Sequence, residues 1–223
     1  MDKKLFIEAI IKFLSGVILV GLLVFLPAGS LAYANGWIFM AILFVPMFVA
    51  GILMLNKNPD LLRKRLDAKE KQGEQKWVVA LSGIMFLLGF IVAGLGYRFG
   101  WYALPRFIVK SGAAVFLLGY VLYAIVLRQN EYLNRTIIVQ ENQTVVDTGL
   151  YSLVRHPMYF ATVLMFLSIP IILGSVFSVI IFSFYPLIIA KRIIAEEEFL
   201  EKELYGYKEY KQRVKYRLIP FVW

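Results

Sequence analysis

"HPMYFATVLMFLSIPIILGSVFSVIIFSFYPLIIA", residues 156–190, decides how this chain folds. Its two apolar runs, about 157–172 and 175–190, meet at Pro170-Ile171-Ile172-Leu173-Gly174, punctuation that turns a helix back. At ~1.5 Å per residue neither run spans a bilayer comfortably alone. The stretch therefore reads as a helical hairpin, tilted or packed inside the protein. Such a hairpin returns both ends to one membrane surface, and both ends are charged. Arg155-His156 precedes it, and Lys191-Arg192 and Glu196-Glu197-Glu198 follow it.

Outward from the hairpin, the chain is dominated by apolar segments. Hydrophobic residues make up 60% of its 223 residues and the mean hydropathy is +0.71, against ~45–50% apolar residues in soluble domains. Runs near 10–31, 37–55, 77–97 and 107–127 reach the ~20 residues needed to cross ~30 Å of hydrocarbon. The expected architecture is an all-α integral membrane protein with four spans, a C-terminal helical hairpin (five to six transmembrane segments) and a cytoplasmic amphipathic tail. Residues 1–127 hold the spans, with a basic cytoplasmic loop at 56–76. Residues 128–223 hold a polar segment, the hairpin at 157–190 and a charged tail, and this half is where function is expected.

Lys and Arg are retained on the cytoplasmic side of a membrane. They crowd into Lys3-Lys4, the 56–76 loop (with Lys69 and Lys71), the 128–156 segment (with Arg135) and the tail, whereas the alternate loops hold only Arg98 and Arg106. A multi-pass protein of the cell membrane with both termini cytoplasmic follows. Ala32-Tyr33-Ala34 resembles a leader cleavage site, but the run before it is too long and carries Glu8 and Lys12, so the first span is read as retained. The net charge of +9 suits a juxtamembrane face meeting anionic lipid, and nucleic acid is not an expected partner. There is no cysteine and one histidine, which excludes thiol nucleophiles, disulfides and Cys/His metal sites.

His156 stands directly before Pro157, and proline is favoured at the first position of a helix. His156 is therefore expected at a helix N-cap on the membrane surface, beside Arg155, where free N–H groups and the helix dipole attract an anion. Thr148-Gly149-Leu150-Tyr151 adds a glycine turn and a ring on which an adenine could stack. Arg192 and Glu196, four apart, share a helix face, while Glu197 and Glu198 rotate off it. The segment containing Gln140 and Gln143-Thr144-Val145-Val146 reads as extended and interfacial. Residues 59–66, with Leu61, Leu62 and Leu66 at helical spacing, read as a short helix on headgroups. In the tail, Gly206 reads as a helix end, and Tyr205, Tyr207, Tyr210, Tyr216, Phe221 and Trp223 suit the interface.

"VVDTGLYSLVRHPMY", then an apolar hairpin, then "RIIAEEEFL" and "GYKEYKQRV" with a later "LIP" resembles the catalytic half of the isoprenylcysteine carboxyl methyltransferase family, related to the phospholipid N-methyltransferases, over about residues 135–221. The resemblance implies S-adenosylmethionine as methyl donor, in contact with Gln140, Gln143, Thr144, Val145, Val146, Tyr151, His156, Pro157, Met158, Tyr159 and Glu196. It implies Arg192 on the substrate side. Ala161 stands where the family often has glycine, and the short chain looks like compact prokaryotic members, so a prenylcysteine substrate is not carried over with the fold.

The reaction this implies is carboxyl O-methylation of a lipophilic acceptor that arrives through the bilayer. A carboxylate is ionised near pH 7 and needs no base, and Arg192 could grip it through two donors. Three alternatives stand beside this reading. A phospholipid amine methyltransferase would need a base, for which Glu197 is the candidate. A nicotinamide-dependent membrane reductase of the sterol-reductase type shares the architecture, but this chain has no added basic cluster beside Tyr151 for a 2′-phosphate. A non-catalytic membrane binding protein would bind without turnover.

Overall fold

The structure, a computed structural model, describes residues 3–66, 73–101, 103–134 and 137–223. Lys69, Lys71 and Arg135 lie outside the described residues. The first half is built from α1 (Lys3–Ala28), α2 (Ala34–Lys57), the short α3 (Pro59–Leu66), α4 (Gly73–Arg98) and α5 (Arg106–Gln129). A polar segment ending in a 3-10 turn, Gly149–Ser152, leads to α6 (Pro157–Ile172), α7 (Val176–Phe182), α8 (Tyr185–Glu203) and α9 (Tyr207–Arg213). Among the described residues there is no strand, only an isolated bridge between Ala103 and Ser175.

Among the described residues, five helices are long and apolar enough to cross a membrane: α1, α2, α4 over Lys76–Arg98, α5, and α7 with α8 over Val176–Glu203. This is an all-helical multi-pass membrane protein. Large side chains such as Ile18, Leu22 and Leu26 are more than half exposed along α1. A patch of that extent is an aggregation surface in water and an ordinary lipid-facing surface in hydrocarbon.

The hairpin forms as the sequence suggests. Pro157 occupies the first turn of α6, where its missing N–H leaves no bond unmade. The reversal comes at Gly174, whose φ of +73 and whose neighbour, Asn35 Nδ2 at 2.6 Å from any added Cβ, both require glycine. The second arm departs from the expected single run because it breaks between α7 and α8. Pro186 in the first turn of α8 cannot donate to the turn before it and would clash with a continuing helix. The arm then continues past residue 190 to Glu203.

The α5–α6 pair carries the hairpin into the body of the protein. Gly112 and Gly119 on α5 face α6; a Cβ at Gly112 would meet Ile171 Cγ2 at 2.6 Å, and one at Gly119 would meet the Ala161 carbonyl at 3.1 Å. Small residues permit such close backbone approach in membranes. At Ala161, where the resembled family often has glycine, the space is supplied by the partner helix. Phe39, Phe116 and Phe182 are fully buried at the centre, with Phe86, Phe90 and Phe182 ring to ring.

The helix expected over 59–66 forms as α3, and one face of it packs on the body of the protein: Leu62 is buried, Lys64 Nζ donates to Gln140 Oε1 at 2.7 Å and to the Glu131 carbonyl at 3.3 Å, and Lys12 Nζ donates to the Leu66 carbonyl at 2.8 Å. The tail also folds inward. Leu204, Tyr207, Tyr210 and Val214 make a small core of their own with Val139, Val145 and Leu200, because α8 stops at Glu203 and Gly206, at φ +83, turns α9 back under the polar segment. Of the expected interfacial aromatics, Tyr205 and Phe221 are exposed, whereas Tyr207 and Tyr210 are buried.

Candidate functional site

Between the polar segment, the first turn of α6 and the last three turns of α8 lies an open cavity of about 810 Å³ including its mouth. The 3-10 turn is fixed first. Gly149 holds φ +60, and a side chain there would run into the Gln129 amide; Gln129 Oε1 accepts from the Leu150 N–H at 2.9 Å. This presents Tyr151 to the cavity. Asn130 Nδ2 donates to its hydroxyl at 3.0 Å, and Tyr210 donates to its carbonyl at 2.7 Å.

Opposite, α6 and α8 share three polar side chains. Arg192 Nε donates to the Tyr159 hydroxyl at 2.9 Å, and that hydroxyl donates to Glu196 Oε2 at 2.5 Å. Arg192 and Glu196 both line the cavity, as their one-turn spacing requires. Glu197, one residue on, turns away from it. The side chain is 1% exposed and accepts from Arg155 Nε at 2.6 Å and Arg217 Nε at 3.0 Å, with His156 Nε2 at 3.2 Å and Lys211 Nζ at 3.6 Å. Arg155 Nη1 also donates to the Val214 carbonyl at 2.6 Å. The N–H groups of Arg155 and His156 donate to the Tyr216 and Arg217 carbonyls at 2.9 and 2.8 Å. One carboxylate thus ties the N-cap of α6 to the C-terminal segment.

The remaining candidates divide cleanly. Gln143, Thr144, Val145 and Val146 all face the cavity, as do His156 and Met158, but Pro157 does not. Gln140 also stays outside it. Its Nε2 donates to the Tyr132 carbonyl at 2.6 Å, its Oε1 accepts from Lys64, and its N–H donates to Gln143 Oε1 at 2.9 Å. It shapes the segment rather than the wall.

Sequence reasoning missed several wall residues. Leu200 lies one turn beyond Glu196 on the same face and was open to the same spacing argument. Asn130 and Asn134 carried no signal, because their place depends on how the polar segment folds back. Tyr207 and Tyr210 face the cavity instead of lipid. Burial, followed by the Glu197 and Glu196 carboxylates, pushes the Tyr207 phenol well above its ordinary range. Burial does the same for Tyr151, outweighing the Asn130 hydrogen bond that pulls it down. Both are neutral donors at physiological pH. The Tyr207 hydroxyl is buried with no partner among the described residues, a donor left for a ligand.

The model of the Isoprenylcysteine carboxyl methyltransferase (ICMT) family matches residues 112–202. The match supports membership of this family over the stretch from α5 to α8. No curated protein matches it. The ICMT segment runs from the first α6-facing glycine of α5 to the end of α8, and so contains Tyr151, His156, Tyr159, Arg192 and Glu196. With the five apolar helices, it marks a membrane methyltransferase. The matched segment does not extend to α3, to α9 or to Arg217 of the clamp on Glu197.

Proposed function

We propose that the cavity binds S-adenosylmethionine and that the protein transfers its methyl group to the carboxylate of a lipophilic acceptor. The observation that carries this is the Arg192–Tyr159–Glu196 chain, which puts a cation and a carboxylate one helical turn apart in the wall of a partly apolar cavity, inside the ICMT segment. The donor set suits the group. Glu196 supplies a carboxylate for a cationic ligand, Tyr151 a ring face, and Tyr207 an unpartnered hydroxyl. When bound, S-adenosylmethionine supplies an electrophilic methyl group on a sulfonium.

The rest is done by the chain. Arg192 orients the acceptor carboxylate, with its own guanidinium held by Tyr159. Ile137, Ile138 and Leu200 line the wall and keep water from the reacting oxygen; methyl transfer between a cation and an anion gains from exclusion of water and from positioning. No side chain needs to take a proton, because the acceptor is already ionised. Glu197 acts as a positioning residue, holding Arg155 and His156 to the tail. A base role in amine methylation is poorly served by a carboxylate with its oxygens already committed to Arg155 and Arg217. That favours the carboxyl reading over the amine one.

The orientation is supported by where the charged ends meet. Lys12 near the start of α1 bonds the end of α3, Lys64 of α3 bonds Gln140, and the C-terminal segment bonds Arg155. The basic loops, the cavity and the tail therefore occupy one end of the bundle, the cytoplasmic one by the retention of Lys and Arg.

The test is turnover with radiolabelled S-adenosylmethionine, with long-chain fatty acids and S-alkylated N-acetylcysteines as acceptors. A base-labile, methanol-releasing product lost in Arg192→Ala is expected. A base-stable product on an amine lipid, or hydride consumption with NADPH in place of methyl transfer, would overturn the reading.

A further inference from the structure

Arg65 of α3 is a half-buried cation whose described surroundings do not satisfy it. A guanidinium carries five N–H donors. Here Nη2 lies 3.7 Å from the Met158 sulfur, a weak acceptor, the group stands 5.5 Å from the centre of the Tyr123 ring, and Nε is buried with no partner among the described residues. Every other arginine described around the cavity has an oxygen within hydrogen-bond distance: Arg155 on Glu197, Arg192 on Tyr159, Arg217 on Glu197. Taking a charge partly out of water without an opposite partner is costly, and proteins pair such a charge or bring in an anion.

The position of Arg65 is fixed from both sides. Lys64, before it, is bonded to Gln140 and the Glu131 carbonyl; the carbonyl of Leu66, after it, accepts from Lys12. α3 thus holds the guanidinium against Met158, and Met158 lines the cavity. The charge is close enough to be felt at the Tyr151 hydroxyl across that cavity. Met158, which touches both Arg65 and the cavity, is a thioether with three rotatable bonds, the most adaptable of the apolar side chains.

We propose that Arg65 receives the anionic headgroup of the amphiphile that uses the cavity, with Met158 swinging aside to admit it. This rests on the reading that the cavity takes a lipophilic acid. The headgroup is a carboxylate if it belongs to the acceptor itself, or a phosphate if a membrane lipid is held there. Arg65 lies outside the matched segment 112–202, so this selectivity belongs to the N-terminal half of this chain.

The experiment is calorimetric titration of the full-length protein in neutral detergent, with and without S-adenosylhomocysteine, using N-acetyl-S-dodecylcysteine, its neutral methyl ester and dodecyl phosphate. The acid and the phosphate are expected to bind at least tenfold more tightly than the ester, and the tighter of the two identifies the source. In Arg65→Gln the advantage falls below twofold, with S-adenosylhomocysteine affinity and melting temperature kept. Arg63→Gln, which removes a half-exposed charge of the same helix, keeps the advantage. Arg65→Lys, with the charge but not the fork, loses at least threefold and carries the test where the glutamine variant does not fold. Full discrimination in the Arg65 variants, equal loss in Arg63→Gln, or loss of S-adenosylhomocysteine binding with discrimination kept would overturn the proposal. Wild-type protein that binds the acids but not S-adenosylhomocysteine would remove the methyltransferase reading and leave this one standing.

Discussion

Glu197→Ala should free the C-terminal segment from the start of α6 without unfolding the bundle. In the wild type the side chains of Arg155 and Glu197 are 3% and 1% exposed, so the substitution leaves a buried guanidinium facing a void. Breaking a buried pair from one side costs roughly 3–5 kcal/mol. Arg217, 29% exposed on its side chain, adds at most about 1 kcal/mol, because solvent screens it. At about 1.4 kcal/mol per tenfold change, local opening should become easier by roughly two to four powers of ten. Hydrogen exchange reads this directly at the N–H groups of Arg155 and His156, which donate to Tyr216 and Arg217, provided exchange follows the local opening equilibrium. The double variant Arg155→Met/Glu197→Leu should regain most of the protection, since no buried charge is left alone. Protection within threefold of wild type in Glu197→Ala, or a double variant as open as the single one, would refute the reasoning.

Four further outcomes follow from the same geometry. Tyr159→Phe removes the hydroxyl between Arg192 and Glu196 and should lower kcat/KM by about 10- to 100-fold, the worth of a hydrogen bond to charged groups, with S-adenosylhomocysteine affinity changed far less. Gly119→Leu drives a side chain into Met165 and the Ala161 backbone and should cost at least ~1–3 kcal/mol of overpacking, visible as a lower melting temperature. The phenols of Tyr151 and Tyr207 are raised by burial, so their protonated forms are favoured by the fold. Stability from them is complete below about pH 10, the ordinary phenol value, and declines above it; absorbance of phenolate should show these two among the late-titrating phenols, and Tyr207→Phe should remove one of that group. The chain has no cysteine, so single cysteines placed at Phe99 and Lys208 report topology: an impermeant maleimide added to intact cells should label the first and not the second.

The parts of the fold that rest on continuous apolar runs were legible in the sequence, because a bilayer demands length and hydropathy and little else. The hairpin was legible through Pro157 and Gly174. The break between α7 and α8 was written in Pro186 but masked by the apolar run on either side of it. In the site, the pairing of Arg192 with Glu196 followed from helical spacing, while the role of Glu197 did not. Its partners Arg155 and Arg217 are 42 and 20 residues away, and no local pattern links them. The tail tyrosines were ambiguous for a physical reason. A ring with one polar end serves equally at a lipid interface and in a small core, and only the turn at Gly206 brings Tyr207 and Tyr210 inward. The α3 helix was legible from its leucine spacing, but its packing was not, because the groups it bonds lie on α1, α6 and the polar segment.

The proposed methyl-donor site is the cavity between the polar segment, α6 and α8. Calorimetric binding of S-adenosylhomocysteine to the detergent-solubilised protein, beside Glu196→Ala and His156→Ala and with NADPH as control, tests it most directly. Micromolar binding that falls at least tenfold in both variants, with none to NADPH, is the predicted result. Binding of NADPH instead, or S-adenosylhomocysteine binding untouched by either substitution, would contradict it.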